Sequence, residues 1–336
     1  MSGAWLYISA LVISASTSAL LTPMICRLAN HVGMLDKVED DRRVHENPTP
    51  RLGGIAVYIG FTFALFAVLG LALTRFAFFH SLDDIHAFLG LLFGSTLILG
   101  VGLWDDIMGM TARSKLFAQI VVALISMAYG FVISFVHNPF GPGYIYFPWW
   151  ISWPLTLVWY VGMMNAINFI DGLDGLLTGV TAISTMSLFA IALLHHDPVV
   201  ALVVIALAGA SLGFLPYNFN PAKIFLGDSG SLFIGFVFAT VSVIGEGKVA
   251  ISISLIVPLM ILALPIIDTA AAIIRRTRSG KKITEADRGH FHHQLIFRYG
   301  LNVRQAVILI YVLCFLLGVT ALLLSGAIPH FSKLAA

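Results

Sequence analysis

Charge and cysteine are scarce in this 336-residue chain: charged side chains make up 11% of it, and cysteine occurs only as Cys26 and Cys314. A soluble domain carries about one quarter charged residues, so a water-soluble globular protein is excluded. Both cysteines sit in or at the ends of apolar runs, which argues against a disulfide framework and against a thiolate metal cluster. No low-complexity tail and no internal repeat divides the chain, so a single membrane domain over residues 1–336 is expected. No Lys or Arg precedes the first apolar run. Without a basic n-region that run reads as a retained span, not a cleavable signal.

What the chain has in quantity is apolar sequence, 59% of its residues. Runs of bilayer length recur at about 4 to 26, 53 to 74, 86 to 104, 115 to 135, 147 to 167, 176 to 194, 198 to 216, 229 to 246, 249 to 274 and 303 to 325. The expected fold class is therefore all-α: a polytopic membrane helical bundle of about ten transmembrane helices. The net charge of +2 says little about partners, but its distribution is informative. Of the 19 Lys and Arg residues, all except Arg75, Lys248 and Lys333 fall in or beside the loops that follow odd-numbered spans. By the positive-inside rule those loops are cytoplasmic and both termini lie outside. Cytoplasmic catalytic loops are expected at about 27–52, 105–115, 165–176, 217–231 and 275–302. The opposite loops are short and suggest no site, although Phe140 to Trp153 has the aromatics of an interfacial belt. The lipid bilayer is the implied partner, and no nucleic-acid polymer is expected.

The organising stretch is NAINFIDGLDG, Asn165 to Gly175. Asn165, Asn168, Asp171 and Asp174 recur at intervals of three where an apolar span ends. On a straight helix such a series fans round half the circumference, so a lipid-facing helix could not hide it, and capping needs only one such residue. The stretch reads as the end of a membrane helix opening on a polar cavity, with Gly172 and Gly175 letting the backbone turn. Asp105 and Asp106 emerge together from span 3. Adjacent carboxylates raise each other's pKa unless a cation intervenes, which implies a divalent metal or a basic partner; Lys115 begins the next span. Gly227-Asp228-Ser229-Gly230-Ser231 opens span 8 as a glycine-rich turn whose free N–H groups and dipole suit phosphate. Asp228 is then the place for a magnesium that the phosphate carries.

In the first inside loop the glycine pair of Pro-Thr-Pro-Arg-Leu-Gly-Gly lets the backbone approach something closely, and Arg51 and His45 are the expected anion contacts. The last inside loop carries Arg288, His290, His292 and His293. Without thiols, and without the four-residue histidine spacing of the commoner zinc helix, these imidazoles read as phosphate ligands. Asp268, within span 9, is either functional or part of a helix-end network with Arg275. Acids, bases and glycine turns gathered on one face point to a metal-complexed phosphorylated ligand, with Mg²⁺ the hard cation that suits oxygen ligands.

The motifs HENPTPRLGG, WDD, NAINFIDGLDG, FLGDSGSL and HFHH occur in that order from about residue 30 to 300. They resemble those of the polyprenyl-phosphate N-acetylhexosamine-1-phosphate transferases, and most closely the bacterial branch that uses undecaprenyl phosphate and UDP-GlcNAc. The resemblance implies transfer of GlcNAc 1-phosphate from UDP-GlcNAc to undecaprenyl phosphate with release of UMP, dependent on Mg²⁺ with Mn²⁺ as a substitute. It implies the bacterial inner membrane, a cytoplasmic active site, and the first membrane step of a cell-surface polysaccharide such as O-antigen, common antigen or teichoic acid. Another UDP-N-acetylhexosamine would serve the same chemistry, and a homodimer is compatible with it. By resemblance, Asn168 and Asp228 hold the metal. Asp171, Asp174, Asn218 and Phe225 line the nucleotide site, Phe225 stacking on uracil. Lys115 reaches a phosphate, Asp105 and Asp106 lie at the lipid-phosphate end, and Arg288 with His290, His292 and His293 grips phosphates from above. Gly109 departs from relatives, which often carry a polar residue there. Catalysis is expected from Asp105, Asp106, Asp228 and His290, either by direct attack of the lipid phosphate or through a covalent aspartyl intermediate. An ion-coupled transporter of an anionic solute is the rival class, and it would place polar residues deep in several spans and on both sides.

Overall fold

The computed structural model describes residues 4–36, 49–73, 82–138, 143–244 and 298–327, with 277, 295 and 296. Its helices are α1 (Ala4–Val32), α2 (Gly53–Leu73), α3 (Leu82–Met108), α4 (Ala112–Ala128), α5 (Trp149–Ile170), α6 (Leu176–Leu194), α7 (Pro198–Asn218), α8 (Gly227–Ile244) and α9 (Val303–Ala327). Two antiparallel hairpins accompany them, β1 (Leu35–Asp36) with β2 (Thr49–Pro50), and β3 (Phe135–His137) with β4 (Tyr144–Tyr146). Seven helices, α1, α2, α3, α6, α7, α8 and α9, are long and apolar enough to cross a bilayer. The chain is an all-α polytopic membrane protein. The ninth apolar run, 249 to 274, lies outside the described residues together with Asp268, as do His45, Arg288, His290, His292 and His293.

The apolar run from 115 to 135 does not stay helical. Helix α4 stops at Ala128, where Gly130 takes a positive φ of 94°. Phe131 and Ile133 continue buried but extended toward β3. The backbone of Ile133 is secured by α5: its N–H donates to Thr156 Oγ1 at 2.9 Å and its carbonyl accepts from Ser152 Oγ. Apolarity alone could not distinguish helix from this buried extended segment.

Helices α7 and α8 form the centre and are buried over most of their surface, whereas α1 and α9 keep most of theirs for lipid. Around α7 pack α1, α2 and α6; around α8 pack α2, α3 and α5. In lipid no hydrophobic force favours one helix contact over another, so close packing of small residues decides. A Cβ at Gly213 would stand 2.1 Å from the Ala15 carbonyl of α1, and Ser14 Oγ donates to Ala206 O at 2.6 Å.

The same device fixes the first turn of α8. A Cβ at Gly54 of α2 would stand 2.2 Å from Gly230 N, and one at Gly102 of α3 would stand 2.4 Å from Ser229 Cα. Two helices thus touch the opening of α8 backbone to backbone. The segment Pro50 to Gly54 also pairs with the segment entering α8: Phe225 N–H donates to Pro50 O at 2.7 Å, Gly53 N–H to Phe225 O at 2.9 Å and Gly54 N–H to Leu226 O at 2.8 Å. The close approach expected of the glycine pair is this contact, and its partner is protein. The C-terminal ends of α1, α3, α5 and α7 and the N-terminal ends of α2, α4, α6, α8 and α9 all gather at one end of the bundle.

Candidate active site

Asp228 lies in the first turn of α8, and groups from two other helices converge on it. Lys115 Nζ, in the first turns of α4, stands 3.0 Å from Asp228 Oδ1 and 2.9 Å from Asp105 Oδ2 at the end of α3. Asn168, near the end of α5, donates from Nδ2 to Asp228 Oδ1 and to Ser231 Oγ, the latter at 2.8 Å. Residues as far apart in sequence as Asp105 and Ser231 thus form one polar cluster. Side-chain exposure of 10% for Asp105, 17% for Lys115 and 22% for Asp228 leaves the cluster open to a ligand without flooding it.

The ends of α3 and α4 place Asp105 and Lys115. Gly109, with φ 71°, terminates α3, and Gly109 N–H returns to Asp105 O at 2.9 Å. A left-handed residue just past a helix end is most easily glycine, which accounts for Gly109 where the resemblance implies a polar residue. Met110 N–H donates to Asp105 Oδ1 at 2.6 Å. Thr111 then caps α4 by accepting from Ser114 N–H at 3.2 Å, directly before Lys115.

Asp106 occupies the position expected of a phosphate. Its Oδ1 accepts from Asp228 N–H at 2.8 Å and its Oδ2 from Ser229 N–H at 2.9 Å. The N–H groups of the Gly-Asp-Ser-Gly-Ser turn, expected to take a phosphate, hold a carboxylate of the chain itself. Helix N-termini favour any negative charge, phosphate or carboxylate alike.

Asp174 and Asn218 are buried, at 3% and 2% exposure, and their hydrogen bonds close the loops around the site. Asp174 Oδ2 accepts from Asn220 Nδ2 and from Ala222 N–H, both at 3.0 Å. Asn218 Oδ1 accepts from Thr178 Oγ1 at 2.7 Å, and its Nδ2 donates to Ile224 O at 3.0 Å. Phe225 is half-buried between these loops. Helix α9 holds both loops from behind: Arg304 Nε donates to Asn220 O at 2.9 Å and Tyr311 Oη to Gly175 O. In sequence Arg304 is one more inside-loop cation and Tyr311 one more apolar-span residue, with no signal that sets either apart.

Asp171 follows α5 and feels the whole cluster. Loss of hydration, then the charges of Asp228 and Asp106, push its carboxyl up to about 8, while the Arg51 guanidinium pulls the other way. Below about pH 4 Asp171 is protonated whether the chain is folded or unfolded. From there to about 8 the unfolded chain has released the proton and the folded one retains it, so stability falls as pH rises and levels off above. In chelator, the thermal midpoint is expected to fall from about pH 5 to about pH 8, and Asp171→Asn is expected to flatten that slope. An unchanged slope in the variant would assign the pH dependence to other groups.

The same surplus of negative charge bears on a metal. Among the described residues no three of His, Cys, Asp and Glu are grouped to hold an ion. Magnesium does not need such a cage: it takes one or two carboxylates, keeps water, and completes its shell with substrate phosphates. Asp228 with Asn168 beside it, amid Asp105, Asp106 and Asp171, fits that habit.

A sequence profile of glycosyl transferase family 4 matches residues 88–246. The chain is 34% identical over 318 residues to a probable undecaprenyl-phosphate N-acetylglucosaminyl 1-phosphate transferase of Bacillus subtilis (strain 168), covering 95% of this chain and 85% of that protein. It is 37% identical over 292 residues to the decaprenyl-phosphate N-acetylglucosaminephosphotransferase of Mycobacterium leprae (strain TN), covering 81% and 72%. It is 32% identical over 297 residues to the undecaprenyl-phosphate alpha-N-acetylglucosaminyl 1-phosphate transferase of Salmonella typhi, covering 84% and 74%. The profile match spans α3 to α8, the helices that carry Asp105, Lys115, Asn168 and Asp228, and the likeness to these relatives runs well beyond it: the chain belongs to the polyprenyl-phosphate N-acetylhexosamine-1-phosphate transferases of glycosyl transferase family 4.

Proposed function

We propose that this enzyme transfers N-acetylglucosamine 1-phosphate from UDP-GlcNAc to undecaprenyl phosphate and releases UMP, at the cytoplasmic face of a bacterial inner membrane. The observation that carries the reading is the convergence of Lys115, Asn168 and Asp105 on Asp228 at one end of an apolar bundle. A water-soluble diphosphate and a lipid head group can meet only at such a boundary. The excess of Lys and Arg in the loops at this end supports its cytoplasmic placement, with about ten spans and both termini outside.

Asp228 and Asn168 would hold Mg²⁺, with Mn²⁺ as a substitute, on the sugar-nucleotide diphosphate. When bound, the metal supplies positive charge that neutralises the diphosphate and eases departure of UMP. Lys115 lies where its ammonium can bind a phosphate oxygen, and Arg51 stands on the Asp171 side of the cluster. The lipid phosphate loses its second proton at about pH 6, so it arrives largely ionised. Its oxygen forms a bond to the sugar-linked phosphorus as the bond from that phosphorus to the UMP oxygen breaks, the electron pair leaving with UMP. Positioning and charge neutralisation carry most of such a step. Asp105, paired with Lys115 and with Met110 N–H, would then orient groups in place.

Purified protein given UDP-GlcNAc, undecaprenyl phosphate and Mg²⁺ is expected to release UMP and yield a lipid-linked GlcNAc diphosphate, and to do neither when any one of the three is withheld. UMP release in a single turnover without lipid acceptor would replace direct attack by a covalent path. Turnover with another UDP-N-acetylhexosamine and none with UDP-GlcNAc would reassign the sugar.

A further inference from the structure

One polar pair lies deeper in the bundle than the charge cluster and belongs to none of the roles given above. Gln119 of α4 is wholly buried, at 0% exposure, and faces Asn165 of α5. Asn165 Nδ2 donates to Gln119 Oε1 at 2.7 Å, and Gln119 Nε2 points back to Asn165 Oδ1 at 3.5 Å. The second hydrogen of Asn165 Nδ2 goes to Val161 O at 2.7 Å in its own helix. Both donor hydrogens of Asn165 are therefore committed inside the protein, and it has none to offer a substrate.

The spacing gives this pair a purpose. Gln119 follows Lys115 by four residues and Asn165 precedes Asn168 by three, each a step along one helix face. Two rungs therefore join α4 to α5 about one turn apart. The upper rung is Lys115, Asp228 Oδ1 and Asn168, where the charges meet. The lower rung is the amide pair. Leucines would pack at this depth without polar groups to satisfy, but they would slide. An amide pair in a largely apolar surround has one good alignment, because any slip or rotation leaves the polar atoms of the wholly buried Gln119 unpaired. A rotation of one residue turns a helix by about 100°, which would swing Lys115 away from Asp228.

We propose that Gln119 and Asn165 are positioning residues that set the register of α4 against α5, so that Lys115 and Asn168 reach the same oxygen of Asp228. This rests on the transfer reaction proposed above. Gln119 touches no reacting atom; it acts through Lys115.

The full-length protein in detergent tests this by UMP release from UDP-GlcNAc and undecaprenyl phosphate, with thermal midpoints measured in parallel. Gln119→Leu is expected to lower kcat by about ten- to a hundredfold, with KM for UDP-GlcNAc within about threefold of the parent, since misplacing a catalytic group by about 1 Å costs on that order. The exchange variant Gln119→Asn with Asn165→Gln keeps two amides and the combined side-chain length, and is expected to recover most of the lost rate. In a Lys115→Met background Gln119→Leu is expected to add little further loss, because the group it positions is gone. A Gln119→Leu enzyme with more than half the parental kcat would overturn the proposal. So would an exchange variant as slow as Gln119→Leu, or full additivity with Lys115→Met. If the parent protein itself released no UMP, the transfer reading would fail instead, and the two failures are told apart by that control.

Discussion

Asp228→Asn is expected to fold and to lose at least about a thousandfold in turnover, the scale on which removal of a charge-stabilising group lowers kcat. The substitution keeps size and shape but removes the charge. Lys115 would then retain Asp105 as its sole carboxylate in the cluster, and Asn168 would face another amide where it now meets an anion. A metal-bridged diphosphate would lose its protein anchor. The fold should survive because the opening of α8 is held by Asp106, Gly54 and Gly102, none of which uses the Asp228 side chain. UMP release normalised to folded protein, with the thermal midpoint as control, reads the outcome. Retention of more than about a tenth of parental turnover would remove Asp228 from the centre of the chemistry.

The neighbouring carboxylates should separate in a way their adjacency does not suggest. Asp106→Ala is expected to destabilise the protein by about 2–4 kcal/mol, because two backbone N–H groups at the start of α8 lose their acceptor in a half-buried place. Activity falls with it, since Asp228 contributes one of those N–H groups. Asp106→Asn keeps one good acceptor and should recover roughly half of the stability. Asp105→Asn should behave oppositely, leaving the thermal midpoint nearly unchanged while lowering kcat, because Asp105 is bound by Lys115 and a loop N–H and closes no helix end. Thermal denaturation beside UMP release for the three variants distinguishes these outcomes. An Asp106→Ala protein as stable as its parent but inactive would return Asp106 to direct chemistry.

How far these features could be read from residues alone follows a physical divide. Apolar length located the helices because the bilayer imposes it. Polar residues interrupting such runs located Asp105, Asp106, Asn168, Asp171 and Asp228, because lipid tolerates them only where something pairs with them. Side-chain direction carries no comparable mark. The turn that opens α8 was expected to take a phosphate, and its N–H groups instead hold the Asp106 carboxylate. Asp174 and Asn218 were expected to line a nucleotide site, and the structure shows in addition that Asp174 Oδ2 and the Asn218 side chain hydrogen-bond to neighbouring segments. Gln119 gave a faint signal, one amide in an apolar run, and its meaning depended on Asn165 lying opposite. Extended segments such as Phe131 to Phe135 are as apolar as helices and could not be told from them.

The glycines at 54 and 102 have one more consequence. With main chain seated directly on main chain, the base of α8 has no compressible layer to absorb a change in its neighbours, and a methyl group added at either point would be passed on to the Asp228 carboxylate as displacement. Sequence change among relatives is therefore expected to spare positions 54 and 102 and to fall on side chains that do not support the opening of α8.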